Sequence, residues 1–197
     1  IIEIGRFAFE RCISLEEIEI PDSVTKIESS GFLQCNNLKQ VKLPNKITFI
    51  PSNLFRKCIS LKEIKIPDLV TSIGENAFQE CISLEKIKIP DLVTSIGENA
   101  FQECISLEKI EIPDSVTNIG ENAFKGCNNI CIYCHKYSYA VQYAIDNDIN
   151  YKYLDAKVND IFYILEESNN ELEQILSKLI EKDITHYSYK NYDFNIA

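Results

Sequence analysis

Six cysteines, Cys12, Cys35, Cys58, Cys81, Cys104 and Cys127, stand at a constant step of 23 residues. The prolines Pro21, Pro44, Pro67, Pro90 and Pro113 keep the same step, as do Phe9, Phe32, Phe55, Phe78, Phe101 and Phe124. The segment "IKIPDLVTSIGENAFQECISLEKI" at 64–87 recurs unchanged at 87–110. A unit this short cannot bury its own apolar face. Like units stacked one on another can, so the period predicts a solenoid whose core is shared between neighbouring coils.

One unit shows how each coil is built. "LEKIKIP" alternates apolar and polar residues and stops at a proline, which predicts a short strand with Ile87 and Ile89 inward. In "DLVTSIG" an extended segment turns Val93 and Ile96 inward and ends on Gly97. "ENAFQECISL" then places Ala100, Phe101, Cys104 and Leu107 at helix-like spacing, which predicts one tight helical or 3₁₀ turn. Phe78, Cys81, Leu84, Ile87 and Ile89, with Phe101, Cys104 and Leu107, are therefore the expected repeat core. Free cysteine behaves as a small buried hydrophobe, and parallel Cβ vectors make bridging awkward, so the cysteine column is expected to be a reduced ladder.

The pattern L-x-x-I-x-I-P-x-x-V-T-x-I-G-x-x-A-F-x-x-C-x-x-L resembles the BspA-like (Treponema pallidum-type) leucine-rich repeats of many bacterial and protozoan surface proteins. The resemblance covers 1–134. It implies an α/β right-handed solenoid with parallel strands on one face and short turns on the other. It also implies binding and adhesion at the cell surface rather than catalysis. The sequence departs from the pattern at Glu28 and Pro51, where glycine is expected, and at Gly31 and Leu54, in the alanine position. Coils two and three are accordingly expected to be the least regular.

After the last repeat, "CIYCH" at 131–135 has the spacing of a c-type haem attachment site. Haem needs a pocket and an axial ligand; the chain has no methionine, and His186 is its only other histidine. Cys127, Cys131, Cys134 and His135 are also of zinc-ligand type. Adjacent residues of a strand point to opposite faces, however, so Cys134 and His135 should diverge. The expected role is packing in a terminal cap over 135–155, with a helix carrying Ala140, Val141, Ala144 and Ile145 on one face and "NYKYL" as a closing strand. Residues 156–197 are read as an amphipathic helical hairpin, 156–182, and a tyrosine-rich, partly disordered tail.

The net charge of −10 disfavours duplex nucleic acid as a partner, because phosphate neutralisation supplies most of that affinity. No apolar run is long enough to cross a membrane, and "IIEIGRFAFERC" has no leader-like composition. The absence of methionine and the mid-repeat start lead us to expect further coils upstream, and an exposed coil edge that could pair end to end. A catalytic site is a singular arrangement; here each notable Ser, Thr or Glu is one rung of a repeated column, so no enzyme and no cofactor are expected.

Charge breaks the symmetry. Residues 31–66 hold seven basic residues and one acidic, and one outward strand column reads Glu19, Lys42, Lys65, Lys88, Glu111. Like charges on neighbouring strands are mildly destabilising. Lys39, Lys42, Lys62, Lys65, Lys86 and Lys88 are therefore the candidate binding residues, for an acidic protein surface or an anionic glycan. The competing reading is an intracellular scaffold that docks through the C-terminal helices, which eight apparently unpaired cysteines would suit.

Overall fold

The structure, a computed structural model, describes residues 2–154, 186–189 and 192–195. It divides into two compact units, Ile1–Lys152 and Tyr153–Ala197. The first is a solenoid of coils that we number one to six by their cysteines. A first set of parallel strands carries β2 (Glu17–Glu19), β4 (Gln40–Lys42), β6 (Glu63–Lys65), β8 (Lys86–Lys88), β10 (Lys109–Glu111) and β12 (Cys131–Cys134). A second set, one per coil, carries β1 (Glu3–Ile4), β3 (Lys26–Ile27), β5 (Phe49–Ile50), β7 (Ser72–Ile73), β9 (Ser95–Ile96) and β11 (Asn118–Ile119). The proline of each coil separates the two sets, since it ends one strand without donating to a ladder.

The core is one column of like residues per repeat position. Phe32, Phe55, Phe78 and Phe101 are wholly buried, as are Cys35, Cys58, Cys81 and Cys104. From Phe9 to Phe124 the rings stack at 5.0 to 5.6 Å between centroids, with interplanar angles of 2° to 18°. Ile87, Ile89, Leu84 and Leu107 are buried beside them. From Cys35 to Cys127 each column thiol finds an acceptor in the coil before: Cys81 Sγ donates to the Phe55 carbonyl at 3.1 Å, Cys104 to Phe78 at 3.2 Å, and Cys127 to Phe101 at 3.1 Å. All eight cysteines are free thiols.

The turn expected to be helical or 3₁₀ is built differently. Asn76 and Glu80, two residues either side of Phe78, have φ of 54° and 59°, and the equivalent pair recurs in every coil, ending with Asn122 and Gly126. Alternate amides then serve two purposes. Those of Asn76, Phe78 and Glu80 donate to Glu98, Ala100 and Gln102 of the next coil at 2.8 to 2.9 Å. Those of Ala77, Gln79 and Cys81 close back on the third residue before them. The apolar spacing imitates a helix, but the segment is a run of tight turns laced sideways to its neighbours.

Coils two and three carry the expected irregularity. Gly74, Gly97 and Gly120 donate to Ile50, Ile73 and Ile96 of the preceding coil at 2.8 Å. Pro51 has no N–H to donate, and the second strand set splits there into β1–β3 and β5–β7–β9–β11. The alanine-position swap compensates itself. A Cβ on Gly31 would lie 3.2 Å from Leu54 Cδ1, so the leucine fills the room the glycine leaves.

Beyond coil six, α1 (Tyr139–Asp146) and β13 (Asn150–Tyr153) follow β12, and β13 joins β10 and β12 in one sheet. Ala140 and Ala144 are buried as expected, but Ile145 is 54% exposed and Tyr143 takes the inward place. Its ring meets Phe124 edge-on at 6.1 Å and closes the phenylalanine stack. In the second unit, β14 (His186–Tyr189) pairs antiparallel with β15 (Tyr192–Asn195), so this part of the tyrosine-rich tail is a hairpin. The helical hairpin read over 156–182 lies outside the described residues.

Candidate ligand-binding face

The first strand set presents its outward residues in registered columns. Pairing sets Glu17 against Gln40 and Glu19 against Lys42, then Glu63 against Lys86 and Lys65 against Lys88. Lys109 and Glu111 stand against Cys131 and Tyr133. These columns floor an open groove of about 1560 Å³, whose walls include Lys42, Lys65, Lys86, Lys88, Lys109 and Ile105.

The six candidate lysines are not equivalent. Lys39 is paired with Glu16 at 2.7 Å, Lys42 with Glu19 at 2.5 Å, and Lys62 with Glu85 at 4.0 Å. The Glu19 carboxylate, by hydrogen bond and charge, holds the Lys42 ammonium above its ordinary pKa. Lys65, Lys86 and Lys88 make no ion pair among the described residues. Lys65 and Lys88 are in register as a like-charged pair on adjacent strands. Such a pair costs energy in the free protein and gains when an anion arrives. The unpaired charge of the basic column is therefore narrower than the sequence indicated: among the described residues β6 and β8 carry it, while coil three neutralises its share. Sequence reasoning missed Tyr133, on whose face Lys109 Nζ rests at 4.0 Å from the ring centroid. Its signal was position, since Tyr133 continues the column of Glu111 one coil later.

The metal-ligand types of the cap do not converge. Cys127 points into the core and donates to Phe101. On β12 the burial alternates, with Cys134 fully buried and Cys131 half-buried on the strand face. His135 turns away to Asp114, its Nδ1 3.0 Å from the carboxylate oxygen. Among the described residues no group of three His, Cys, Asp or Glu could hold a metal ion. Burial raises the Cys134 thiol pKa, which disfavours the thiolate that a zinc ligand must be. Within "CIYCH", Ile132 and Cys134 are thus buried, while Cys131, Tyr133 and His135 stay partly exposed.

A solenoid of 23-residue coils with two parallel strand sets and one open strand face is a leucine-rich repeat architecture. The BspA type leucine rich repeat region matches residues 2–131 in six copies, and the chain belongs to that family. Among solved structures it is similar to a leucine rich repeat protein of T. pallidum, with 26% identity and a TM-score of 0.66 over 100% of this chain and 81% of that one. It is also similar to a leucine rich cell surface protein of Faecalibacterium prausnitzii, with 37% identity and a TM-score of 0.54 over 61% of this chain. The match spans only 30% of the length of that protein. A leucine-rich repeat protein of Eubacterium ventriosum shares 30% identity over 60% of this chain and 32% of its own, with a TM-score of 0.56. No curated protein matches the chain.

Proposed function

We propose that the chain is a non-catalytic recognition module that binds an anionic macromolecule through its strand face, as part of an adhesive protein at the cell surface. One observation carries the reading: Lys65, Lys86 and Lys88, without an ion pair among the described residues, line an open groove in a chain whose net charge is −10. A basic focus on an acidic protein attracts its ligand locally while repelling most other acidic proteins. The surface setting is supported by the F. prausnitzii relative, which is a cell surface protein. Among the described residues, no helix is long and apolar enough to cross a membrane. Terminal capping of the stack by 135–155 is part of the same proposal, since Tyr143 and the two buried alanines of α1 cover coil six.

The test is binding of the purified chain to immobilised heparin and to extracellular-matrix proteins at low and physiological salt. A Lys65→Glu, Lys88→Glu variant is run beside it, with a Lys39→Glu variant as the paired-lysine control. Salt-sensitive binding that the double variant loses and the control keeps is the expected outcome. Binding indifferent to all three substitutions would place the ligand elsewhere. No binding to any surface, from either protein, would turn attention to a scaffold role.

A further inference from the structure

Three features coincide on the strand face, and only one of them is charge. The residue after each repeat cysteine leads into a strand of the first set. At coils three, four and five it is Ile59, Ile82 and Ile105, which are 37%, 38% and 48% exposed. These lead into β6, β8 and β10; Ile105 with Ser106 walls the groove itself, and Ile59 and Ile82 hold the same repeat position in the two coils before it, outside the groove's lining. At coils two and six the same position is Asn36 and Asn128, so the apolar rib is interrupted on both sides. At coil one it is Ile13, which leads into the acidic strand β2. On the other side of the lysine strands, Leu69 and Leu92 are 51% and 52% exposed, whereas coils two, three and six have Ser23, Lys46 and Ser115 there. The strands that carry the unpaired lysines are thus the ones flanked by exposed aliphatic side chains on both edges. An aliphatic rib beside a cationic floor suits a ligand that is acidic and apolar together. A sulfated glycan would meet the lysines and leave the isoleucines wet.

We propose that the occupant of this strand face is an acidic protein segment bearing aliphatic side chains, its carboxylates in the groove on Lys65, Lys86 and Lys88 and its aliphatic groups along the rib of Ile59, Ile82 and Ile105 at the groove's edge. The proposal rests on the strand-face reading above and narrows it to one class of ligand. Its partner chemistry is set by charge complementarity with the three unpaired ammonium groups, and its specificity by the burial of side chains that water now covers.

Two labelled synthetic peptides test it, one of aspartate interspersed with leucine and one of equal charge with serine in place of leucine, each titrated by fluorescence anisotropy. The leucine peptide is expected to bind the unaltered protein about tenfold tighter than the serine peptide. The preference should vanish in an Ile59→Ser, Ile82→Ser, Ile105→Ser variant and persist in Ile13→Ser. These side chains lie at the surface, and thermal melts matching the parent's are the check that each variant keeps the fold. Lys65→Ser, Lys88→Ser should weaken both peptides. Equal affinity for the two peptides, lost with the lysines, would overturn the rib while leaving the basic face standing. Lysine-dependent binding of heparin with neither peptide bound would also overturn it, in favour of a glycan. Failure of peptides and heparin alike would remove the strand-face reading itself.

Discussion

At the residue scale the repeat cysteines show what a column position demands. Each must be small enough to sit beside a phenylalanine and able to donate to the carbonyl of the coil before it. Burial pushes the Cys35 and Cys127 thiols up to about 11 from an ordinary 9.0, and Cys58, Cys81 and Cys104 well above it. A thiol with a raised pKa holds its proton longer in the folded chain than in the unfolded one. Its contribution to stability is therefore whole below the unfolded value and is lost as pH rises through the folded value. The urea midpoint is expected to fall between pH 9 and pH 11, and to fall less in a Cys35→Ala, Cys127→Ala variant; equal falls in the two proteins would refute this. The glycines make the complementary case. A Cβ at Gly97 would lie 2.6 Å from the backbone nitrogen of Glu75, whereas one at Gly5 would meet nothing within 4 Å. Gly97→Ala should cost about 2 kcal/mol or more in chemical unfolding, and Gly5→Ala close to nothing.

At the element scale, the strands were legible in the sequence and the turns were not. Strand alternation and the closing proline are read directly, because the inward residues recur every second position and every 23 residues. The turn escaped because Ala77, Phe78, Cys81 and Leu84 fall at helical intervals, while the left-handed positions are mostly Asn, Glu, Gln or Lys. Only Gly126 and the recurring asparagines Asn53, Asn76, Asn99 and Asn122 hinted at positive φ. The lysine columns were legible too, and so was relief by Glu85, but the pairing of Lys39 and Lys42 was not read, although Glu16 and Glu19 each precede their partner by one period. The helix α1 illustrates the same limit. A periodic pattern admits either Ile145 or Tyr143 as the inward residue, and what decides is the phenylalanine stack that needs an end. Burial raises the Tyr143 phenol pKa, while the Phe124 and Ala123 backbone amides act in the opposite direction. Those amides belong to coil six, where in earlier coils the phenylalanine amide is taken by the next coil. Tyr143→Ala is therefore expected to lower stability by about 3 kcal/mol or more. Ile145→Ser should leave it within about 0.5 kcal/mol. Comparable losses from both would contradict the capping role of Tyr143.

At the scale of the whole molecule, continuity is carried by the turns and the phenylalanine stack, and the strand sets share the rest. The first set is hydrogen-bonded as β2–β4, β6–β8 and β10–β12–β13, and the second as β1–β3 and β5–β7–β9–β11. The gaps are offset, so from coil two to coil six each junction between successive coils keeps at least one strand pairing. Only the junction of coils four and five, where the repeated segments meet, is paired in both sets: β6 with β8 and β7 with β9. That junction presents Lys65 against Lys88, so the like-charged pair is mounted where the scaffold is most fully bonded. Under the proposed function, holding such a pair in place would let it meet a ligand without first being reordered. Hydrogen exchange should report the arrangement directly. In a solenoid each coil is stabilised chiefly by its neighbours, so local protection follows local pairing. Amides of 63–73 and 86–96 are expected to exchange slowest, and those of 26–28 and 48–50, on either side of the Pro51 gap, faster than their equivalents in later coils. Pro51→Gly restores the missing donor toward Ile27 and should slow exchange at 48–50 while leaving 86–96 unchanged. Uniform protection along the solenoid, or a Pro51→Gly variant that exchanges like the parent at 48–50, would show that strand pairing does not set the local stability of these coils.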